Sequence, residues 1–330
     1  MFDIITFGSA TRDLFIKSKE FKTLKNKEFL TGEGVCFGLG SKIYLDDLFF
    51  STGGGGTNTA ATFAKQGFKT AYVGMVGKDA GGRAIQEELK NLGIKGFISE
   101  DNKFKTAYSI IISVSLKERT ILVYNGACHQ LTTQDIPFSR LRAKWIYIAG
   151  LSGRSAQALL PIINFAKKHK IKVALNPGAF QLKLGLKGLK NVLDIVDVLS
   201  LNQEEGAALT GLPFNQEKEI FKKLDRYIRG IAVMTKGREG AVVSDGKYLY
   251  RAGIFKEKRF TDRTGAGDAF GAGFVSGLMR TGKIEEAIRL GSANATAVVE
   301  YLGAKNGLLT KSQFEKDLRW EKFKIVKIKL

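Results

Sequence analysis

From Trp145 onward, strand-like and helix-like segments alternate along the chain, and that alternation restricts the fold more than any other feature of the sequence. Residues 145–149, 173–175, 196–201, 231–235 and 241–244 are short apolar runs of strand length, while 156–169, 204–210, 216–227 and 284–301 are helix-like. Strands separated in this way pair in parallel and need cover on both faces, because the connecting helices pack there. The expected class is α/β, with a mostly parallel central sheet between helical layers. Phe2, Ile4, Ile5 and Phe7 supply a further buried strand that stops at Gly8, and the closing run F-K-I-V-K-I-K-L alternates in part and is expected at a sheet edge. Two regions break the pattern with short alternating pieces such as K-I-Y-L-D-D-L-F-F. These regions, about 14–50 and 104–125, are expected to form a small separate β-sheet that acts as a lid over the active site.

The chemistry is expected within residues 260–277, F-T-D-R-T-G-A-G-D-A-F-G-A-G-F-V-S-G. Gly265, Ala266 and Gly267 lie between Thr264 and Asp268, and a helical pattern then begins with Ala269, Phe270, Phe274 and Leu278. A helix start presents unpaired amide hydrogens and the positive end of the macrodipole, and glycines let a phosphate come close to the backbone. Asp268, in the first turn, would stand beside that phosphate. An Asp there could also serve as a helix cap, but the longer string D-x-x-G-x-G-D followed by G-A-G-F is more restrictive than a cap requires.

Other loops at expected strand ends carry polar groups. Asp13 closes the loop 9–13 after the first strand, where α/β sheets bind ligands, and is either a contact for substrate hydroxyls or a turn-stabilising residue. In the run S-T-G-G-G-G-T-N-T-A-A, Gly53 to Gly56 form a permissive loop and a helix over 58–65 follows; Gly54 and Gly55 would let a polyol approach the helix start, and Asn58 has both a donor and an acceptor for it. Asn202 and Glu205, three apart just past a strand, suit either a hydrated magnesium ion with nucleotide phosphates or a helix-capping arrangement. Thr235, Gly237 and Gly240 lie in the turn of M-T-K-G-R-E-G-A, which is a hairpin or a nucleotide-contacting loop.

Composition removes several other classes of function. The formal charge of +20 suggests nucleic acid, but the lysines are scattered over all 330 residues and no aromatic-interleaved basic module appears. Cys36 and Cys128, with only His129 and His169 beside them, suit neither a disulfide framework nor a transition-metal site. No apolar run is long enough to cross a bilayer, and the start M-F-D-I-I-T-F-G resembles no cleavable leader. A cytoplasmic protein without membrane or nucleic-acid partners is expected.

Taken in order, the motifs resemble those of the ribokinase family of carbohydrate and nucleoside kinases, the PfkB-type kinases. G-G-G-G-T-N-T-A-A resembles the family's N-terminal signature, N-Q-E-E its N-x-x-E motif, T-K-G-R-E-G-A its nucleotide loop and D-R-T-G-A-G-D-A-F its C-terminal signature. The resemblance spans nearly the whole chain. It implies a single ribokinase-like domain over 1–330, with a three-layer α/β/α fold and a β lid through which two copies pair. It further implies that Asp268 is a general base and that Gly265, Ala266 and Gly267 form an anion hole for the γ-phosphate. Asp13, Gly54, Gly55 and Asn58 would bind the acceptor, and Asn202, Thr235, Gly237, Gly240 and Asn294 would lie along the ATP site. Glu205 would act on Mg²⁺ through water, and Asp262 and Thr264 would stand beside K⁺. The implied acceptor is a sugar or sugar acid, with a nucleoside as the alternative. A non-catalytic sugar sensor is disfavoured by the retained Asp268. Arg263 departs from the family, which more commonly has Thr there.

Overall fold

The computed structural model describes residues 1–29, 32–114 and 119–330. Among them the larger sheet has ten strands, in the spatial order Ile325–Lys329, Tyr248–Ala252, Ala241–Ser244, Ile231–Thr235, Val198–Asn202, Lys172–Leu175, Ala143–Ile148, Phe2–Phe7, Thr70–Gly77 and Lys95–Asp101. Every pairing from Ile231–Thr235 to Lys95–Asp101 is parallel. The three at the Ile325 edge are antiparallel.

Side-chain alternation along the parallel strands explains the layers. Ile5, Phe7, Ile146 and Ile148 point to one face, where they join Leu159 and Ile162 of the helix Leu159–Lys168 and Ile220 and Phe221 of Glu217–Leu224. Their neighbours Ile4, Trp145 and Tyr147 point to the other face and pack with Phe270, Phe274 and Ile288 of the helices Ala266–Thr281 and Ile284–Val299. Both faces are therefore apolar, as a parallel sheet between helical layers requires. Strands Lys95–Asp101 and Tyr248–Ala252 and the helix Ala80–Asn91 extend the alternation beyond the segments recognised in the sequence. The expected helix at 156–169 divides into a tight turn, Gly153–Ala158, and the helix Leu159–Lys168.

A separate four-stranded sheet runs Asp47–Gly53, Thr11–Lys17, Ala107–Ser113 and Arg119–Tyr124. Lys22–Lys25 and Glu33–Cys36 form a further hairpin. Residues 30–31 and 115–118, which belong to the regions expected to form the small sheet, lie outside the described residues. Asp13 is not in a loop. The chain leaves the large sheet at Gly8, and by Thr11 it already pairs with Gly53 and Ala107, so Asp13 is a residue of the small sheet. Likewise the glycine loop is shorter than expected, because Gly53 ends a strand and the helix Gly55–Lys65 begins almost at once.

The helix carrying Asp268 is held by small residues. A Cβ on Gly273 would lie 3.0 Å from the Cα of Gly291, and one on Gly277 only 2.6 Å from the Cα of Ala287. The helices Ala266–Thr281 and Ile284–Val299 therefore touch backbone to backbone. Among the described residues, no helix is long and apolar enough to cross a membrane. Replacing Gly277 by Val should force this pair apart and lower stability by about 1–3 kcal/mol, the usual cost of overpacking. Urea unfolding with an unchanged slope would report this as an earlier midpoint, and an unchanged midpoint would contradict the close contact.

Candidate active site

The first turn of Ala266–Thr281 begins at Gly265, whose backbone is left-handed with φ 78°. A side chain there would also collide with the Cβ of Ala304 at 2.5 Å. Glycine is required at 265 for both reasons. A Cβ on Gly267 would meet nothing within 4 Å, so the helix start opens to space on that side. The Ala266 amide donates to the Arg263 carbonyl at 3.2 Å, while those of Gly267 and Asp268 have no intrahelical acceptor and can receive an anion.

Asp268 is partly buried at this opening. Its Oδ2 accepts a 2.8 Å hydrogen bond from Asn58 Nδ2, and a Cβ on Gly55 would lie 3.4 Å from its Oδ1. The helix starts at Gly55 and at Ala266 are thereby brought face to face, joining two motifs that are 210 residues apart. Asn58 is itself buried, and among the described residues its Oδ1 has no hydrogen-bond partner. That oxygen is an acceptor available to a ligand hydroxyl. Gly54 adopts φ 94° and its backbone lies so close to Ser9 that a Cβ would fall 2.5 Å from the Ser9 carbonyl oxygen.

Asp13, 4% exposed, lies on the small-sheet side of the same region, where its Oδ1 accepts a 2.9 Å hydrogen bond from Thr11 Oγ1. Burial pushes the carboxyl groups of both Asp13 and Asp268 above the ordinary Asp value. The Thr11 hydroxyl opposes this rise at Asp13, as the Asn58 amide does at Asp268, and the charge of Lys305 opposes it at both. Lys305 is only 5% exposed and donates to Thr52 Oγ1 at 2.7 Å and to Glu88 Oε2 at 2.6 Å. Nothing in the sequence marks it. One lysine among 52 basic residues, following an ordinary G-A pair, has no local signal.

Beside the Gly265–Asp268 turn is a cavity of about 310 Å³. Thr235, Gly237 and Gly240 line it together with Ala266 and Gly267, so these expected residues do converge. Arg238, held over the Phe260 ring at 5.1 Å, also contributes. Asn294 does not. It is fully buried, donates to the Ala269 carbonyl at 2.9 Å and accepts from the Leu309 amide at 3.0 Å, and so ties helices and loop together. Helical spacing explains the difference, since Ser292, Ala295, Thr296 and Val299 of the same helix share the face that lines the cavity. Asn202 and Glu205 also lie outside that lining and form a reciprocal helix cap, with Asn202 Oδ1 accepting from the Glu205 amide at 2.7 Å and Glu205 Oε2 from the Asn202 amide at 2.8 Å. Glu205 still bears on the site, because its carboxyl is raised first by burial and then by the negative charge of Asp268.

Asp262 and Thr264, the pair expected beside potassium, are already engaged. The Arg119 guanidinium contacts both Asp262 Oδ1 and Thr264 Oγ1. These oxygens do not suit a metal ion while a cationic donor holds them. Among the described residues, no cluster of three or more His, Cys, Asp or Glu side chains could hold a metal ion. Arg263 is exposed and lies between this cavity and a second one bounded by the small sheet.

The model of the pfkB family of carbohydrate kinases matches residues 1–311. The chain belongs to this family. Its members named ribokinase and fructokinase are phosphotransferases that act on hydroxyl groups, and this chain is an enzyme of that kind. It is 28% identical over 272 residues to the ribokinase of Haemophilus influenzae, covering 79% of this chain and 85% of that protein. It is 29% identical over 245 residues to a fructokinase of Escherichia coli, covering 70% and 78%. The structure of Arabidopsis thaliana ribokinase complexed with ribose and ATP matches with a TM-score of 0.77 at 24% identity, covering 95% of this chain and 97% of that one. That likeness lies in the fold, which is ribokinase-like with a large mostly parallel sheet and a small separate one.

The position of Lys305 in this PfkB kinase leads to a pH prediction. Its positive charge holds the carboxyl groups of Asp13 and Asp268 down against burial, so Lys305→Met should raise both further. A reaction that needs them ionised would then lose rate at higher pH on acidification. A kcat–pH profile should show the acid limb displaced upward; an unmoved or lowered limb would contradict the role.

Proposed function

We propose that this enzyme transfers the γ-phosphoryl group of ATP to a hydroxyl of a sugar of the ribose or fructose type or a related sugar acid. The observation that carries this reading is the 2.8 Å contact between Asp268 and Asn58, which joins the anion-binding helix start to the acceptor side. Asp268 Oδ1 takes the proton from the acceptor hydroxyl as general base. The hydroxyl oxygen bonds to the γ-phosphorus, the bond from that phosphorus to the β-γ bridging oxygen breaks, and ADP leaves. The amides around Gly265, Ala266 and Gly267 hold the charge on the transferring group, in the manner typical of phosphoryl transfer, where positioning and electrostatics dominate. A carboxyl raised by burial is the better base near neutral pH, because the favoured catalytic pKa lies close to the working pH.

The acceptor lies between Asp13 and Asn58, with Asn58 Oδ1 accepting from one of its hydroxyls. The adenine nucleotide occupies the cavity lined by Thr235, Gly237, Gly240 and Thr296, with its phosphates directed to Ala266 and Gly267. Glu205 fits a hydrated Mg²⁺ bound mainly through those phosphates, since a single carboxylate with phosphate oxygens is a usual arrangement for this ion. Bound there, the ion neutralises phosphate charge. The relatives named ribokinase and fructokinase support a sugar acceptor. A nucleoside is favoured instead by one feature, a cavity of about 350 Å³ lined by Phe15, Phe49, Ile111 and Phe260, on the same face of the small sheet as Asp13. These rings could take a base.

The reading is tested by ADP release with Mg²⁺ over a panel of sugars, sugar acids and nucleosides. Asp268→Asn should lower kcat on the preferred acceptor about 10²- to 10⁴-fold with nucleotide affinity little changed. Near-normal turnover would remove Asp268 as the base.

The small sheet acts as a lid and pairs two copies through its outer face. Leu48, Phe50, Leu122 and Tyr124, all more than two-fifths exposed, project there from strands whose register aligns them, which makes an apolar surface able to meet its own copy. Sedimentation should show a dimer that Phe50→Lys converts to monomer; a monomeric parent protein would contradict this.

A further inference from the structure

Asp262 stands directly ahead of the phosphate-binding turn, and its carboxylate organises that approach. Oδ1 accepts from the Thr264 amide at 3.1 Å and from Thr264 Oγ1 at 2.9 Å, while Oδ2 accepts from the Gly303 amide at 3.4 Å. The turn at 262–264 is thereby fastened to the loop at 303–305, where Ala304 packs against Gly265. The residue is 7% exposed, so its charge needs a close counter-charge. Among the described residues, Arg119 alone makes an ion pair with it, reaching over from the edge strand Arg119–Tyr124 of the small sheet.

We propose that Arg119 is a built-in cation for the loop that forms the phosphate cradle, standing where a monovalent metal ion would otherwise bind Asp262 and Thr264. A guanidinium offers donors only, so it occupies the side of these oxygens from which a metal would approach, and a second cation beside it would be repelled. Unlike an exchangeable ion, it is part of the chain and is present at every salt composition. It also arrives with the small sheet, so the counter-charge is in place only while that sheet is docked over the loop. Arg119 is thus a positioning residue that acts through Asp262 and the turn at 262–264.

The inference rests on the phosphotransfer reading for turnover but not for stability, and the experiment separates the two. The full-length protein and Arg119→Ala are compared in KCl and in tetramethylammonium chloride at equal ionic strength. Parent turnover and melting temperature are expected to be the same in both salts. Arg119→Ala is expected to lose about tenfold or more in turnover in tetramethylammonium, to recover part of it in KCl or with added guanidinium, and to melt higher in KCl. Activation or stabilisation of the parent protein by potassium would overturn the proposal. So would an Arg119→Ala variant with full turnover, or one whose melting is indifferent to the cation. If no acceptor yields ADP, the melting comparison still decides the question. Should Arg119→Ala fail to fold, Arg119→Lys is used in its place, and the response of the parent protein to potassium remains decisive.

Discussion

Balancing buried negative charge is the constraint around which this site is built. Asp13, Glu88, Asp262 and Asp268 come together from distant parts of the chain, and each has a specific partner in the folded state. Lys305 holds Glu88 and acts electrostatically on Asp13 and Asp268, while Arg119 holds Asp262. Losing either cation would leave a carboxylate without its counter-charge in a poorly solvated place, which is costly. The segments 52–58, 262–268 and 303–305 are therefore interdependent, since Asn58 donates to Asp268, the Gly303 amide to Asp262 and Lys305 to Thr52.

The helix pair Ala266–Thr281 and Ile284–Val299 gives that arrangement a rigid base. Glycine at 273, 277 and 291 lets the two backbones touch, and Asn294 binds both the Ala269 carbonyl and the Leu309 amide. The start of the first helix is thereby fixed relative to the sheet, and with it the direction in which its unpaired amides point. Gly265 and Gly267 have different roles within one turn. The first is demanded by its left-handed backbone and by Ala304, whereas the second leaves the approach open.

Much of the fold was legible in the sequence, because burial on both faces makes parallel strands read as continuous apolar runs, and 145–149 and 231–235 are of that kind. The turn ahead of Asp268 was legible for a similar reason: its left-handed backbone at 265 and its open approach at 267 call for glycine, and G-A-G-D leaves few alternatives. Asn294 does not line the cavity, and its position in the chain does not show which side of a helix it occupies. Asp13 reads as a loop residue because the turn into the small sheet occupies only the few residues after Gly8. Lys305 and Arg119 were not found, since a lysine or arginine gains its role from what folds around it.

By itself the sequence determined the α/β class, the order of the motifs and the amide-lined turn that precedes Asp268, because these depend on periodicity and on local backbone freedom. Only the tertiary structure decided that Asn58 meets Asp268, that Asn202 and Glu205 cap a helix, and that Arg119 rather than an open site faces Asp262 and Thr264. The reason is physical. Charge partnerships act through space over a few ångströms, and the ion pair Lys305–Glu88 joins residues 217 positions apart along the chain.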